Sequence, residues 1–114
     1  PAYIGVAVEA TVTIARHANP ERVEREIVER LQRYVDPLIG GAERTGWPFG
    51  RDLYLSEIMT VMQTVAGVEF VENATLFQVD LRSGQAKAAG QKITLPGDAL
   101  FFPYDFRVAV KVRG

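Results

Sequence analysis

From Ile4 to Ile14 the even positions read Ile4, Val6, Val8, Ala10, Val12 and Ile14, while the odd ones read Gly5, Ala7, Glu9, Thr11 and Thr13. A period of two over so long a run, rich in β-branched residues, specifies a strand with one face on a core and the other wet or lightly covered. Such a strand is a central structural member, and the remaining chain must supply the layer that covers its apolar face.

The next segment has the marks of that layer. Asn19-Pro20-Glu21 is a helix start: Asn19 can accept a backbone N–H, Pro20 suits the first helical position and Glu21 faces the positive end of the dipole. The spacing predicts a helix from Pro20 to Val35, with Val23, Ile27, Leu31, Tyr34, Val35 and Leu38 in one apolar stripe and Val28 beside it. The opposite side is charged, and Glu21/Arg25, Glu26/Arg30 and Glu29/Arg33 stand four apart in the favourable order. Asp36-Pro37 disfavours further helix, and Gly40-Gly41 supplies the turn beyond it.

Arg51 to Tyr54 reads as a short strand, after which Leu55, Ile58, Met59, Met62 and Val65 repeat at helical spacing until Gly67. Met59 and Met62 read as core filler at that spacing. Val68–Phe70 and Ala74–Leu81 read as strand, with a bulge expected at Glu72-Asn73. Ser83 to Gln91 is small and polar and reads as a mobile hairpin tip. Leu95-Pro96-Gly97-Asp98 suits a type II turn, and a last strand follows in which Phe106, Val108, Val110 and Val112 alternate with Arg107, Ala109, Lys111 and Arg113. The order β-α-β-α-β-β predicts an α+β two-layer sandwich, two amphipathic helices packed on one face of a mostly antiparallel sheet.

With 114 residues the chain is expected to form a single domain, 1–114, around one core. It opens at Pro1 and passes at once into strand sequence, which favours a domain excised from a longer polypeptide. The 13 basic and 14 acidic residues nearly balance, so a dedicated nucleic-acid surface is not expected. The apolar runs are too short to cross a bilayer and nothing resembles a signal peptide, so a cytoplasmic location is the expectation.

Chemistry is scarce. The absence of cysteine removes disulfides, thiolate nucleophiles and cysteine-ligated zinc, and the single histidine, His17, leaves no imidazole cluster or Ser/His/Asp triad. His17, between the first strand and the helix start, reads as a polar connector. No pair of carboxylates is placed for acid–base work, and Asp52 and Asp98 read as turn residues that accept backbone N–H groups. Gly46-x-x-x-Gly50-Arg51 lacks the lysine and hydroxyl of a phosphate loop and carries two bulky aromatics in the space a phosphate needs. The chain is therefore expected to need no cofactor or metal, to take no small-molecule substrate and not to be an enzyme.

The aromatic residues are the remaining signal. Trp47 and Phe49 stand among Gly46, Pro48 and Gly50, which rule out regular helix there. Either these rings fold back on their own domain as a lid, or they dock into a partner. A second cluster, Leu100-Phe101-Phe102-Pro103-Tyr104-Asp105-Phe106, holds more rings than one strand face can bury, so Phe101, Phe102 and Tyr104 are also candidates for contact with another chain. Arg44 and Arg51 would form the polar rim of such a contact.

Read together, Leu38-Ile39-Gly40-Gly41, Gly46-Trp47-Pro48-Phe49-Gly50-Arg51, Ser56-Glu57-Ile58 and Val65-Ala66-Gly67-Val68 resemble the C-terminal region of the J-like baseplate assembly proteins. These are wedge components of contractile phage tails and related injection particles. The resemblance runs from the first helix through the third strand, and the stretch after Ser83 matches only loosely. It implies a C-terminal domain with a structural, non-enzymatic role, docking with other wedge subunits and with copies of itself, first in the cytoplasm and then in the baseplate of the finished particle. Trp47, Phe49, Phe101, Phe102 and Tyr104 would be its apolar anchors. A small-molecule-sensing regulatory module is the competing expectation, because helices on one face of an antiparallel sheet also describe such domains.

Overall fold

The alternating run forms β1 (Ala2–Ile14) of a computed structural model that describes residues 2–114. Pro1, on which the reading of an excised start rests, lies outside the described residues. Helix α1 (Pro20–Val35) follows with the predicted bounds, and the Asn19 side chain accepts from the Arg22 N–H at 3.1 Å. Then come β2 (Leu53–Tyr54), α2 (Leu55–Gln63), β3 (Val68–Val79), β4 (Ala86–Ala88), β5 (Lys92–Ile93) and β6 (Ala99–Val112).

Four strands make the main sheet, in the order β4-β3-β1-β6; β2 and β5 form a separate antiparallel pair. β1 runs antiparallel to β3 and parallel to β6, and β3 pairs antiparallel with β4, so the sheet is mostly antiparallel, as expected. Both helices pack on one face. Val6, Val8, Val12 and Ile14 of β1 are completely buried there, with Val23, Ile27, Leu31 and Val35 of α1 and Ile58 and Met62 of α2. Each such side chain contributes about 1.5–3 kcal/mol, so this layer contact outweighs any surface ion pair in holding the fold.

Several local expectations change. Only Glu26/Arg30 of the three expected helical ion pairs forms; Glu26 lies between Arg22 and Arg30 and bonds both, at 3.0 and 3.1 Å. Leu38 leaves the apolar stripe because the helix ends at Val35, and it stands 80% exposed. The Ser83–Gln91 stretch is more than a hairpin tip: Ala86–Ala88 pair with Phe77–Val79, a short exposed edge strand of two alanines and Lys87 that needs no core. Proline and glycine do not occupy the centre of the expected type II turn. The turn is closed by Ala99 N–H on the Pro96 carbonyl (3.0 Å), which puts Gly97 and Asp98 at its centre, and Gly97 has no positive φ.

Two irregularities matter for the surface. Thr11 pairs with Asn73 but Val12 with Val71, so Glu72 is the extra residue of the expected bulge. The bulge lets Glu72 accept from the Thr13 hydroxyl (2.6 Å) and meet Lys111 (3.4 Å), tying three strands together on the face without helices. The hydrogen bond from Thr13, reinforced by Lys111, holds the Glu72 carboxyl below its usual range despite some desolvation. In β6, Val6 pairs with Pro103 but Ala7 with Asp105, which makes Tyr104 a second bulge residue. Pro103 is tolerated because β6 is an edge strand with no ladder to support on its outer side.

Candidate functional site

The loop from Asp36 to Arg51 is built by closing the end of α1. The Asp36 carboxylate accepts from the Leu38 and Ile39 N–H groups at 2.7 and 3.2 Å, and the Asp36 carbonyl accepts from Gly40 (2.9 Å) and Trp47 (3.1 Å). Gly41 donates to the Tyr34 carbonyl (2.7 Å) and Gly46 to that of Gly40 (2.9 Å), so the loop folds back on the carbonyls the helix leaves free. Gly46 has φ +111°, and a Cβ on it would lie 2.5 Å from the Pro37 carbonyl oxygen. A Cβ on Gly40 would lie 2.3 Å from the Tyr34 oxygen and 2.5 Å from that of Asp36.

This geometry drives Trp47 inward. Its ring is 2% exposed and meets Tyr34 and Phe101 edge-on, with centroids 5.4 and 5.6 Å away. Its Nε1 donates to the Arg51 carbonyl at 2.8 Å, and the Arg51 guanidinium lies 4.7 Å from the ring centroid. Arg51 in turn meets Glu57 at 2.8 Å, where the Tyr34 hydroxyl also donates (2.6 Å), while the second oxygen of Glu57 accepts from the Tyr54 N–H that opens α2 (3.0 Å). Asp52 accepts a backbone N–H as expected, but from distant Leu95 (2.9 Å), which staples the loop to the connection before β6.

Burial raises the pKa of Tyr34 to about 12, assisted by the hydrogen bond to Glu57. Burial alone would push the Glu57 carboxyl up; hydrogen bonds from Tyr34, Arg51 and the Tyr54 N–H outweigh it and hold the group below its usual range. The bond to Glu57 also raises the Arg51 pKa. A depressed native carboxyl stabilises the fold above its unfolded pKa and loses that contribution as pH falls through the native value; a raised phenol loses its contribution as pH rises from about 10 towards 12. Stability should therefore fall on both limbs. Glu57→Ala is expected to cost about 1–3 kcal/mol in chemical denaturation at pH 7, because Tyr34 and Arg51 lose their acceptor, and to flatten the acid limb. An acid limb identical to wild type would mean that Glu57 is not the responsible group.

The expected contact residues thus divide. Trp47 and Phe101, predicted as interface anchors, are core residues, 2% and 0% exposed, because the glycine turns aim one ring inward and sheet alternation puts the other beneath it. Arg51 stays at the surface, its side chain 45% exposed, with the guanidinium already engaged by Trp47 and Glu57. Phe49 (64% exposed) and Arg44 remain on the surface, Arg44 with φ +61°. Phe102 and Tyr104 are also exposed, but Phe102 is in register with Gly5 on the face away from the helices, whereas Phe101 faces them. The candidates therefore lie on two separate surfaces.

Leu38 and Ile39 join Phe49 as exposed apolar residues of the loop, and only the Asp36-Pro37 break in the sequence pointed to Leu38 leaving the helix stripe. Tyr3 and Leu81 are the further exposed apolar residues near the start of β1 and the end of β3.

Two concavities accompany these surfaces. One, of ≈ 1020 Å³, runs over Ile4 and Gln78 between Lys87 and Lys92, and every polar side chain along it is exposed. The other, of ≈ 270 Å³, lies between the ends of the helices, floored by Tyr34, Gly40 and Val61 and rimmed by Arg30, Arg33 and Arg44. Among the described residues no group of three or more His, Asp or Glu is placed to hold a metal ion, and no helix is long and apolar enough to cross a membrane. No protein-family model and no curated protein sequence matches the chain.

Proposed function

We propose that this α+β domain is a structural, non-enzymatic docking module, a wedge component of the baseplate of a contractile tail or injection particle. One observation carries the docking part. The loop is fixed internally by Trp47, Arg51, Glu57 and its glycines, yet it presents Leu38, Ile39 and Phe49 to solvent at 80%, 49% and 64% exposure. Apolar side chains on a pre-organised loop lose little conformational freedom when a partner covers them, which is the economy an interface anchor needs. Arg44 and Arg33 supply a polar rim beside them. The wedge assignment rests on the ordered sequence motifs, whose residues supply this internal clamp.

By this reading the partners are other wedge subunits, met in the cytoplasm during assembly and retained in the finished baseplate. Co-expression with the products of neighbouring genes, followed by pull-down on this chain, should recover a wedge subunit in a stoichiometric complex. Recovery of none of them would remove the baseplate assignment. The sensing alternative draws on the two concavities; in the larger, of ≈ 1020 Å³, the polar side chains all stand in solvent, and the smaller, of ≈ 270 Å³, is rimmed by three arginines. A metabolite that raised the melting temperature in proportion to its concentration would favour that alternative.

A further inference from the structure

The two edges of the main sheet are protected unequally. On one side, three-residue β4 covers only Phe77–Val79, and the rest of the β3 edge is broken by the Glu72 bulge and by the Gln63 side chain, which donates to the Glu69 carbonyl at 3.0 Å. The first half of β6 carries Pro103 and the Tyr104 bulge, both of which obstruct pairing. From Asp105 to Val112 the strand is regular, and its outer side faces no other strand among the described residues. The Arg113 N–H donates to the Ile14 carbonyl at 3.0 Å, so odd positions of this stretch aim their backbone groups at β1. Phe106, Val108 and Val110 therefore aim theirs outward, where they need acceptors and donors.

We infer that this edge pairs with the same edge of a second copy of the chain, antiparallel, across a two-fold axis at Val108. The charges select that register. It sets Asp105 opposite Lys111 of the second copy, twice by symmetry, and Arg107 opposite Ala109. An axis at Arg107 sets that guanidinium against itself, one at Ala109 sets Arg107 against Lys111, and one at Val110 sets Arg107 against Arg113. An axis at Phe106 draws Pro103 and the Tyr104 bulge into the ladder. With the axis at Val108, Val108 faces Val108 and Phe106 faces Val110, and each pair exchanges both outward backbone bonds. The Asp105 and Lys111 side chains occupy the intervening positions, where opposite residues come closest. Lys111 already meets Glu72 on its own chain and would bridge the two carboxylates. The result is a continuous sheet through both copies with all four helices on one side. It stands on backbone geometry and charge, independently of the baseplate reading.

The test uses the 114-residue chain in analytical ultracentrifugation up to about 0.1 mM, with circular dichroism to confirm that each variant folds. Wild type should dimerise. Lys111→Glu and Asp105→Lys should each weaken the dimer about tenfold, since two attractions become two repulsions, and an equimolar mixture of the two variants should restore it as a heterodimer. Hydrogen exchange on wild type gives a second reading that needs no variant: protection of the Phe106, Val108 and Val110 amides should rise with concentration, while that of Arg107 and Ala109 should not. A monomer at the highest concentration overturns the proposal. So does a dimer whose edge amides stay unprotected, a dimer indifferent to both reversals, or protection of these amides only when a co-expressed wedge subunit is present.

Discussion

Trp47→Ala is expected to destabilise the domain by about 3–5 kcal/mol, the range for truncating a large buried aromatic. The loss has several parts. The ring fills the space between Tyr34 of α1 and Phe101 of β6 and donates to the Arg51 carbonyl, so the truncation opens a cavity and removes the donor from a part-buried acceptor. It also removes the surface on which the Arg51 guanidinium lies. Domains of this size have only about 5–15 kcal/mol in total, so the variant should show a much lower denaturation midpoint, or fail to fold at 37 °C. Phe49→Ala, two residues away, should change stability by less than about 0.5 kcal/mol, since its ring is mostly in water. If urea denaturation gave the two variants equal costs, the division of the loop into an inner and an outer ring would be wrong.

Gly40→Ala should be nearly as severe, although it adds a single methyl. The added Cβ would stand 2.3 to 2.7 Å from the carbonyl oxygens of Tyr34, Asp36 and Arg33, and all three are backbone atoms at the end of α1 that no side-chain rotation can move aside. Relief requires the loop to lift off the helix, which breaks the Gly40 and Trp47 bonds to Asp36 and pulls on the indole. A cost of at least about 3 kcal/mol is expected, with less buried indole in the tryptophan emission spectrum. Gly97→Ala is the control, because a Cβ there meets nothing within 4 Å. An unshifted emission maximum in folded Gly40→Ala would show that the loop does not depend on that close approach.

What could be read in advance followed the strength of local signals. The long alternation of β1, the Asn19-Pro20 helix start and the Glu72 bulge are each set by neighbouring residues, and each appears where its chemistry requires; α2, expected to run on to Gly67, already ends at Gln63, and Gly67, with φ +98°, instead turns the chain into β3. Pairing partners are set by distant residues, so the parallel β1–β6 ladder and the β2–β5 pair were not legible. The site was only half legible for the same reason. Composition marked Trp47 as a ring needing cover, but its cover comes from Tyr34, thirteen positions back, and Phe101, far ahead in the chain. Glu57 stood out only as part of the Ser56-Glu57-Ile58 motif, with no role attached; only the tertiary fold brings Tyr34 and Arg51 to it.

The central claim is that the loop is held from inside and docks from outside, and it is tested by measuring stability and partner retention on one variant. Leu38→Asp combined with Phe49→Asp places two charges where the loop is 80% and 64% exposed, and neither side chain belongs to the Trp47–Arg51–Glu57 clamp. The account predicts a denaturation midpoint close to wild type together with loss of the co-expressed wedge subunit in pull-down. Retention of that subunit at wild-type yield by the folded double variant would contradict it.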